Sequence, residues 1–150
     1  MAKISTYLNF KDCTREAFAF YKTVFHGEYV GDISPYGDMP LDEGMPPLPA
    51  EAKELIMHMA LKIPGGHILH GSDTPDFMGQ EIVFGNSVTI NIEPDSREET
   101  DRLFKELSKG GTVTMPLETT FWGAYFGMFT DRFGINWMIN FEENSASFKV

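Results

Sequence analysis

The sequence predicts an α+β fold built from two βαβββ modules. Together they form a curved eight-stranded mixed sheet around a cleft, with the helices outside. Three observations predict it. First, the opening stretch is written twice: Ser5-Thr6-Tyr7-Leu8-Asn9-Phe10 returns as Ser87-Val88-Thr89-Ile90-Asn91-Ile92. At the same spacing Thr14-Arg15-Glu16 falls on Ser96-Arg97-Glu98, and Tyr21 and Phe25 fall on Leu103 and Leu107. A run of matches in one register marks an internal duplication. Second, each copy switches from period two to helical spacing, a strand followed by a helix. Third, a closing hairpin also recurs, with Gly66, His70 and His58 answered by Gly134, Met138 and Phe126.

Length and composition set the limits. The 150 residues fit a single domain, 1–150, with internal modules of approximately 1–78 and 79–150. A chain of this length buries roughly 70% of its unfolded surface and needs neither metal nor disulfide for stability. The net charge of −10 argues against nucleic acid and anionic membrane surfaces as partners. Cys13 is the single cysteine, so no intrachain disulfide is possible. The N-terminus lacks a basic-then-apolar leader pattern, and no apolar run reaches spanning length. A cytoplasmic protein is expected.

The elements follow in order. Ile4, Thr6, Leu8 and Phe10 alternate with Ser5, Tyr7 and Asn9, a strand with one oily and one polar side. A helix begins at Asp12–Thr14, with Glu16 in its first turn where the helix dipole favours negative charge. Its apolar stripe is Ala17, Phe18, Phe20, Tyr21, Val24 and Phe25, which should lie on the Leu8/Phe10 face. His26 is a favourable charge at the helix end, and Gly27 is the expected left-handed residue there. Glu28–Ile33 reads as a second strand. Ser34–Lys53, with Pro35, Pro40, Pro46, Pro47 and Pro49, reads as a long loop: a lid, a binding loop, an interface arm or a plain surface insertion. Leu55–Ile63 and His67–Ser72 form a hairpin across Pro64-Gly65-Gly66, and Thr74–Gly85 connects the modules.

The second module has sharper punctuation. Ser96 and Glu99 have capping-box spacing ahead of a stripe of Thr100, Leu103, Phe104 and Leu107. Gly110-Gly111 ends that helix. Thr112–Leu117 is a strand, and Phe121–Thr130 with Ile135–Phe141 closes the chain as a hairpin. Its dense aromatics are read as core or interface. Glu142–Val150 is a polar tail.

Tyr7-Leu8-Asn9-Phe10, Ala17-Phe18-Ala19-Phe20-Tyr21, Gly71-Ser72-Asp73, Met115-Pro116-Leu117, Thr120-Phe121-Trp122-Gly123 and Asp131-Arg132-Phe133-Gly134 with Trp137-Met138 together resemble one family. It is the PhnB-like branch of the glyoxalase/bleomycin-resistance/extradiol-dioxygenase, or vicinal oxygen chelate, superfamily. The resemblance spans nearly the whole chain and implies paired βαβββ modules and a homodimer. Some members of the branch carry the name demethylubiquinone methyltransferase, but no glycine-rich loop here would cradle S-adenosylmethionine. Metal-using members place ligands at positions that fall on Ser5, His70, Ser87 and Met138. Two serines and a thioether beside one imidazole are a poor set for zinc, nickel or iron(II), so no metal and no cofactor is expected.

The alternation then places Ser5, Tyr7, Asn9, Ser72, Ser87, Thr89, Asn91, Asn136 and Asn140 in the same phase as those positions, joined by His70, Ile68 and Met138. This neutral, hydrogen-bonding lining suits a small polar organic ligand. His58 and His70 are the candidates for acid/base work near neutral pH, unless a carbonyl or cross-strand partner satisfies them. Asp73 either positions His70 or caps a turn. Two readings stand: metal-free binding of a small molecule in the inter-module cleft, or a glyoxalase-like lyase or isomerase, or a related enzyme such as a hydrolase, using His70 with His58 or a non-standard metal.

Overall fold

The computed structural model describes residues 1–143, so the expected tail lies outside the described residues from position 144 onward. The chain divides into two compact units, Met1–Val83 and the part from Phe84 onward.

In the first unit, β1 (Thr6–Phe10) leads into α1 (Thr14–Phe25), followed by β2 (Glu28–Tyr29), β3 (Ser34–Pro35), β4 (Ile56–Lys62) and β5 (Ile68–Asp73). The strands run in the order β1-β5-β4-β2, with β3 also against β4. β1 and β5 are parallel, and β4–β5 is the antiparallel hairpin. Leu8 and Phe10 turn inward beneath α1, where Phe18 meets Phe10 edge to face at 6.5 Å. Tyr21, Met59, Leu61 and Leu69 are fully buried in the same core. Gly71 is there for fit: a Cβ on it would stand 2.6 Å from the Phe18 ring.

Three expectations change here. Ile4 is 92% exposed and precedes the strand, which begins at Thr6. His26, not Gly27, takes the left-handed conformation, at φ 54°. Gly27 serves close approach, since a Cβ there would lie 2.6 Å from the Lys62 carbonyl. The strand expected over Glu28–Ile33 shrinks to Glu28–Tyr29 because Gly31, at φ 69°, turns the chain away. Pairing resumes at Ser34, opposite His58, inside the stretch read as loop.

The second unit repeats the topology. β6 (Ile90–Ile92), α2 (Arg97–Leu107), β7 (Thr112–Thr119), β8 (Ala124–Thr130) and β9 (Asn136–Glu142) give a sheet ordered β6-β9-β8-β7. The expected βαβββ plan thus appears twice, with the strands in two sheets and the two-residue β3 added to the first. Ser96 caps α2, its Oγ accepting from the Glu99 amide at 3.1 Å, while the Glu99 carboxylate pairs with Arg102. Trp137, Phe129, Ile139 and Leu107 form the core. The buried carboxylate of Asp131 accepts from the Trp137 indole at 2.8 Å and from the amides of Phe133 and Ile135. β6 begins at Ile90 rather than Ser87, because the carbonyls of Gly85 and Val88 accept from the Asn136 side chain instead of joining a ladder. Among the described residues no helix is long and apolar enough to cross a membrane.

Candidate functional site

Period two sends Tyr7 and Asn9 to the face of the first sheet opposite Leu8 and Phe10. Register then decides their neighbours. Parallel pairing sets Tyr7 beside His70 and Asn9 beside Ser72. The Tyr7 ring stacks on His70 with centroids 5.9 Å apart and planes 9° apart. His58 comes up from β4, its Nε2 lying 3.0 Å from His70 Nδ1. Ser72 Oγ donates to Asn9 Oδ1 at 3.2 Å. Tyr7, Asn9, His58, His70 and Ser72 therefore form one polar shelf on the open face. Tyr7 is half exposed and both imidazoles are half-buried.

The imidazole pair has a definite proton logic. Burial, and secondarily the charge of His58, holds the His70 pKa below the ordinary histidine value. A neutral imidazole carries one N–H and one lone pair, so one ring donates across the 3.0 Å contact and the other accepts. Either assignment leaves one donor and one acceptor on the two outer nitrogens, His58 Nδ1 and His70 Nε2. Neither outer nitrogen has a hydrogen-bond partner among the described residues. Flipping both tautomers exchanges the two roles.

The other expected site residues are placed differently. Ser5 and Ser87 are exposed and lie outside the strands. Thr89 is half-buried just before β6. Asn136 accepts from Thr130 at 2.9 Å while holding the carbonyls of Gly85 and Val88, so its polar atoms are engaged within the unit. Asn140 donates to the Glu142 carboxylate at 3.3 Å. Met138 and Ile68 are half-buried on their strands. The repeat also carries a slip. Met138 pairs with Asn91, whereas its counterpart His70 pairs with Tyr7. By register Asn91 answers Tyr7, two residues on from the position given by the sequence match.

Asp73 does not orient His70. It is 2% exposed, and its carboxylate accepts from the Thr14 amide at 3.0 Å, the Thr14 hydroxyl at 2.7 Å and the Ile56 amide at 2.7 Å. It anchors the start of α1 and the start of β4 to the end of β5. These partners are far apart in sequence, so no local pattern marks them. Burial first, then the charges of Asp12, Asp73 and Glu16, push the Cys13 thiol up to about 11, which disfavours the thiolate.

The donor set does not fit the metal that the superfamily implies. Among the described residues no three His, Cys, Asp or Glu side chains gather as a metal-holding group. A catalytic site ordinarily takes three such ligands.

Residues 2–140 match the family model described as 3-demethylubiquinone-9 3-methyltransferase. Protein YjdN of Escherichia coli K12 is 30% identical over 142 residues, covering 91% of this chain and 93% of YjdN. The crystal structure of protein PA1353 from Pseudomonas aeruginosa matches with a TM-score of 0.79 at 39% identity, over 95% of this chain and 98% of that one. The PhnB protein from Bacillus cereus matches at 0.74 and 26% identity, over 93% and 99%. The fosfomycin resistance protein FosX from Listeria monocytogenes shares the fold alone, at 0.63 and 13% identity over 99% and 98%. The chain therefore belongs to the PhnB-like 3-demethylubiquinone-9 3-methyltransferase family, on the glyoxalase/bleomycin-resistance fold.

Proposed function

We propose that this protein binds a small polar organic molecule without a metal, on the open face of its first sheet. The observation that carries this reading is the His58–His70 pair, 3.0 Å apart, which offers one donor and one acceptor outward. The outer nitrogens face away from each other across rings whose centroids are 5.2 Å apart, so a ligand donor or acceptor, such as an amide or an enol, meets one of them at a time. The Tyr7 ring gives it an apolar edge, and Asn9 and Ser72 add further polar atoms. The family name does not by itself bring methyl transfer: neither strand–helix connection, Lys11–Cys13 or Glu93–Ser96, contains a glycine to admit a cofactor close to the backbone. By the same resemblance we propose a homodimer, which light scattering tests; with a single cysteine in the chain we also propose a cytoplasmic protein, which fractionation tests.

A second reading rests on the same pair. Because its tautomers exchange donor for acceptor, it can take a proton at one outer nitrogen and return one at the other, as an isomerase or lyase requires.

Benzamide and N,N-dimethylbenzamide discriminate these ideas. The first has a donor and an acceptor together; the second lacks the donor. Binding predicts that benzamide shifts the ring NMR signals of His58 and His70, and that His70→Ala weakens it by about tenfold. No shift from either compound, or unchanged affinity in His70→Ala, would overturn the proposal. Proton exchange into an enolisable ketone that is lost in both His58→Ala and His70→Ala would favour the catalytic reading.

A further inference from the structure

The first unit holds a cavity away from the histidine shelf, and the proline-rich loop builds one of its walls. The loop is pinned at its base, the Tyr36 amide donating to the Leu55 carbonyl at 2.8 Å and the Gly37 amide to the Lys53 carbonyl at 3.0 Å. A short 3-10 turn, Ala50–Ala52, then folds its end inward and buries Ala52. The opposite wall follows β5: Pro75 is buried, and Phe77 packs edge to face against Tyr36 at 5.8 Å. Tyr36 is itself fixed, its hydroxyl donating to the Asp73 carbonyl at 2.9 Å. The space between is about 260 Å³. That is the room of roughly nine waters, below the size of common drug-sized pockets.

Pro49, Ala52, Leu55, Pro75 and Phe77 make its walls apolar. Its remaining lining is charged, with Asp12, Glu51 and Asp76 against the single cation Lys11. Lys11 already lies 3.9 Å from Asp76. Asp12 and Glu51 have no ion-pair partner among the described residues. An apolar hollow with an excess of carboxylates suits an apolar body bearing a positive charge, and a half-exposed phenyl ring on the wall favours the same charge.

We propose that this cavity is a binding site for a compact organic ammonium ion, one aromatic or branched aliphatic group on a short amine. The proline-rich loop is then a binding wall rather than a surface insertion. This site stands apart from the His58–His70 shelf and does not rest on it.

The probes are 2-phenylethylammonium and its anionic analogue phenylacetate, followed by amide NMR shifts on the whole chain. The proposal expects the ammonium to shift the amides of Leu55, Ala52 and Phe77, with phenylacetate leaving them in place. Phe77→Ala should weaken binding by about tenfold, and Glu51→Gln and Asp12→Asn each by severalfold. These side chains lie at the surface, so circular dichroism of each variant should match the parent. Equal response to both probes, no response to either, shifts centred on His58 and His70, or unchanged affinity in Phe77→Ala would each overturn the proposal.

Discussion

The hairpins β4–β5 and β8–β9 have the same backbone and opposite chemistry. Ala60 pairs with His70 in one, and Met128 pairs with Met138 in the other. On the open side, His58 and His70 of the first become Phe126 and Met138 of the second, polar imidazoles against soft apolar groups. On the buried side the exchange is tighter. Met59 faces Gly71 in the first hairpin; Gly127 faces Ile139 in the second. Each pair has one large residue and one glycine, but the glycine has changed strands. The helix aromatic follows it: Phe18 lies over Gly71 and Phe104 over Gly127. Packing conserves volume across a pair while leaving its order free. The open face carries no such constraint, so it is where the copies diverged in chemistry.

The largest test of this comparison concerns the buried carboxylates, which do different jobs in the two units. Asp73→Ala strands two amides and a hydroxyl and should cost about 3–5 kcal/mol in urea unfolding. Asp131→Ala strands the Trp137 indole and two amides and should cost as much. A small loss in either would show that water replaces the carboxylate and that the anchor is dispensable.

Next comes the glycine exchange. Gly71→Ala and Gly127→Ala each push a methyl to within 2.6 Å of a phenyl ring and should cost about 1–3 kcal/mol. Pairing Gly71→Ala with Phe18→Leu should recover part of that loss, while Phe104→Leu should not. Rescue by the wrong helix would break the comparison.

A smaller effect is pH dependence. His70 is held below the ordinary histidine value, so the unfolded chain takes up its proton first. Stability should therefore be full at neutral pH and decline as pH falls through and below ~6.5. His70→Met, which installs the second unit's residue, should flatten that decline in thermal melts. A variant that keeps the full slope would remove His70 from the account.

The smallest effect lies at the helix starts. Ser96→Ala removes a side-chain cap and should cost about 1 kcal/mol. Cys13 makes no such bond, because Asp73 serves α1 from a distance, and Cys13→Ala should change stability by less than about 0.5 kcal/mol.

These pairs also show what the residues announced. Alternation in Thr6–Phe10 and the stripe from Ala17 to Phe25 depend on nearest neighbours, so strand, helix and inner face were legible. So was the common phase of Tyr7, Asn9, His70 and Ser72, because strand sidedness needs only counting. What could not be read depends on chain segments meeting in space. Asp73 finds Thr14 59 positions away. Asn136 donates to carbonyls 48 and 51 positions earlier, which no local pattern marks. Gly27 carries the signature of a helix terminator, yet the Lys62 carbonyl is what excludes a side chain there, while His26 makes the turn.

The displacement of Asn91 against Met138 has a consequence for how the two halves can be traced to a common parent. An odd displacement would have inverted β6 and put Ile90 and Ile92 where Asn91 now stands; an even one leaves sidedness untouched. Insertions and deletions between ancestral copies are thus filtered by parity. Homologous positions in the halves are better assigned by counting along the ladder than by matching letters.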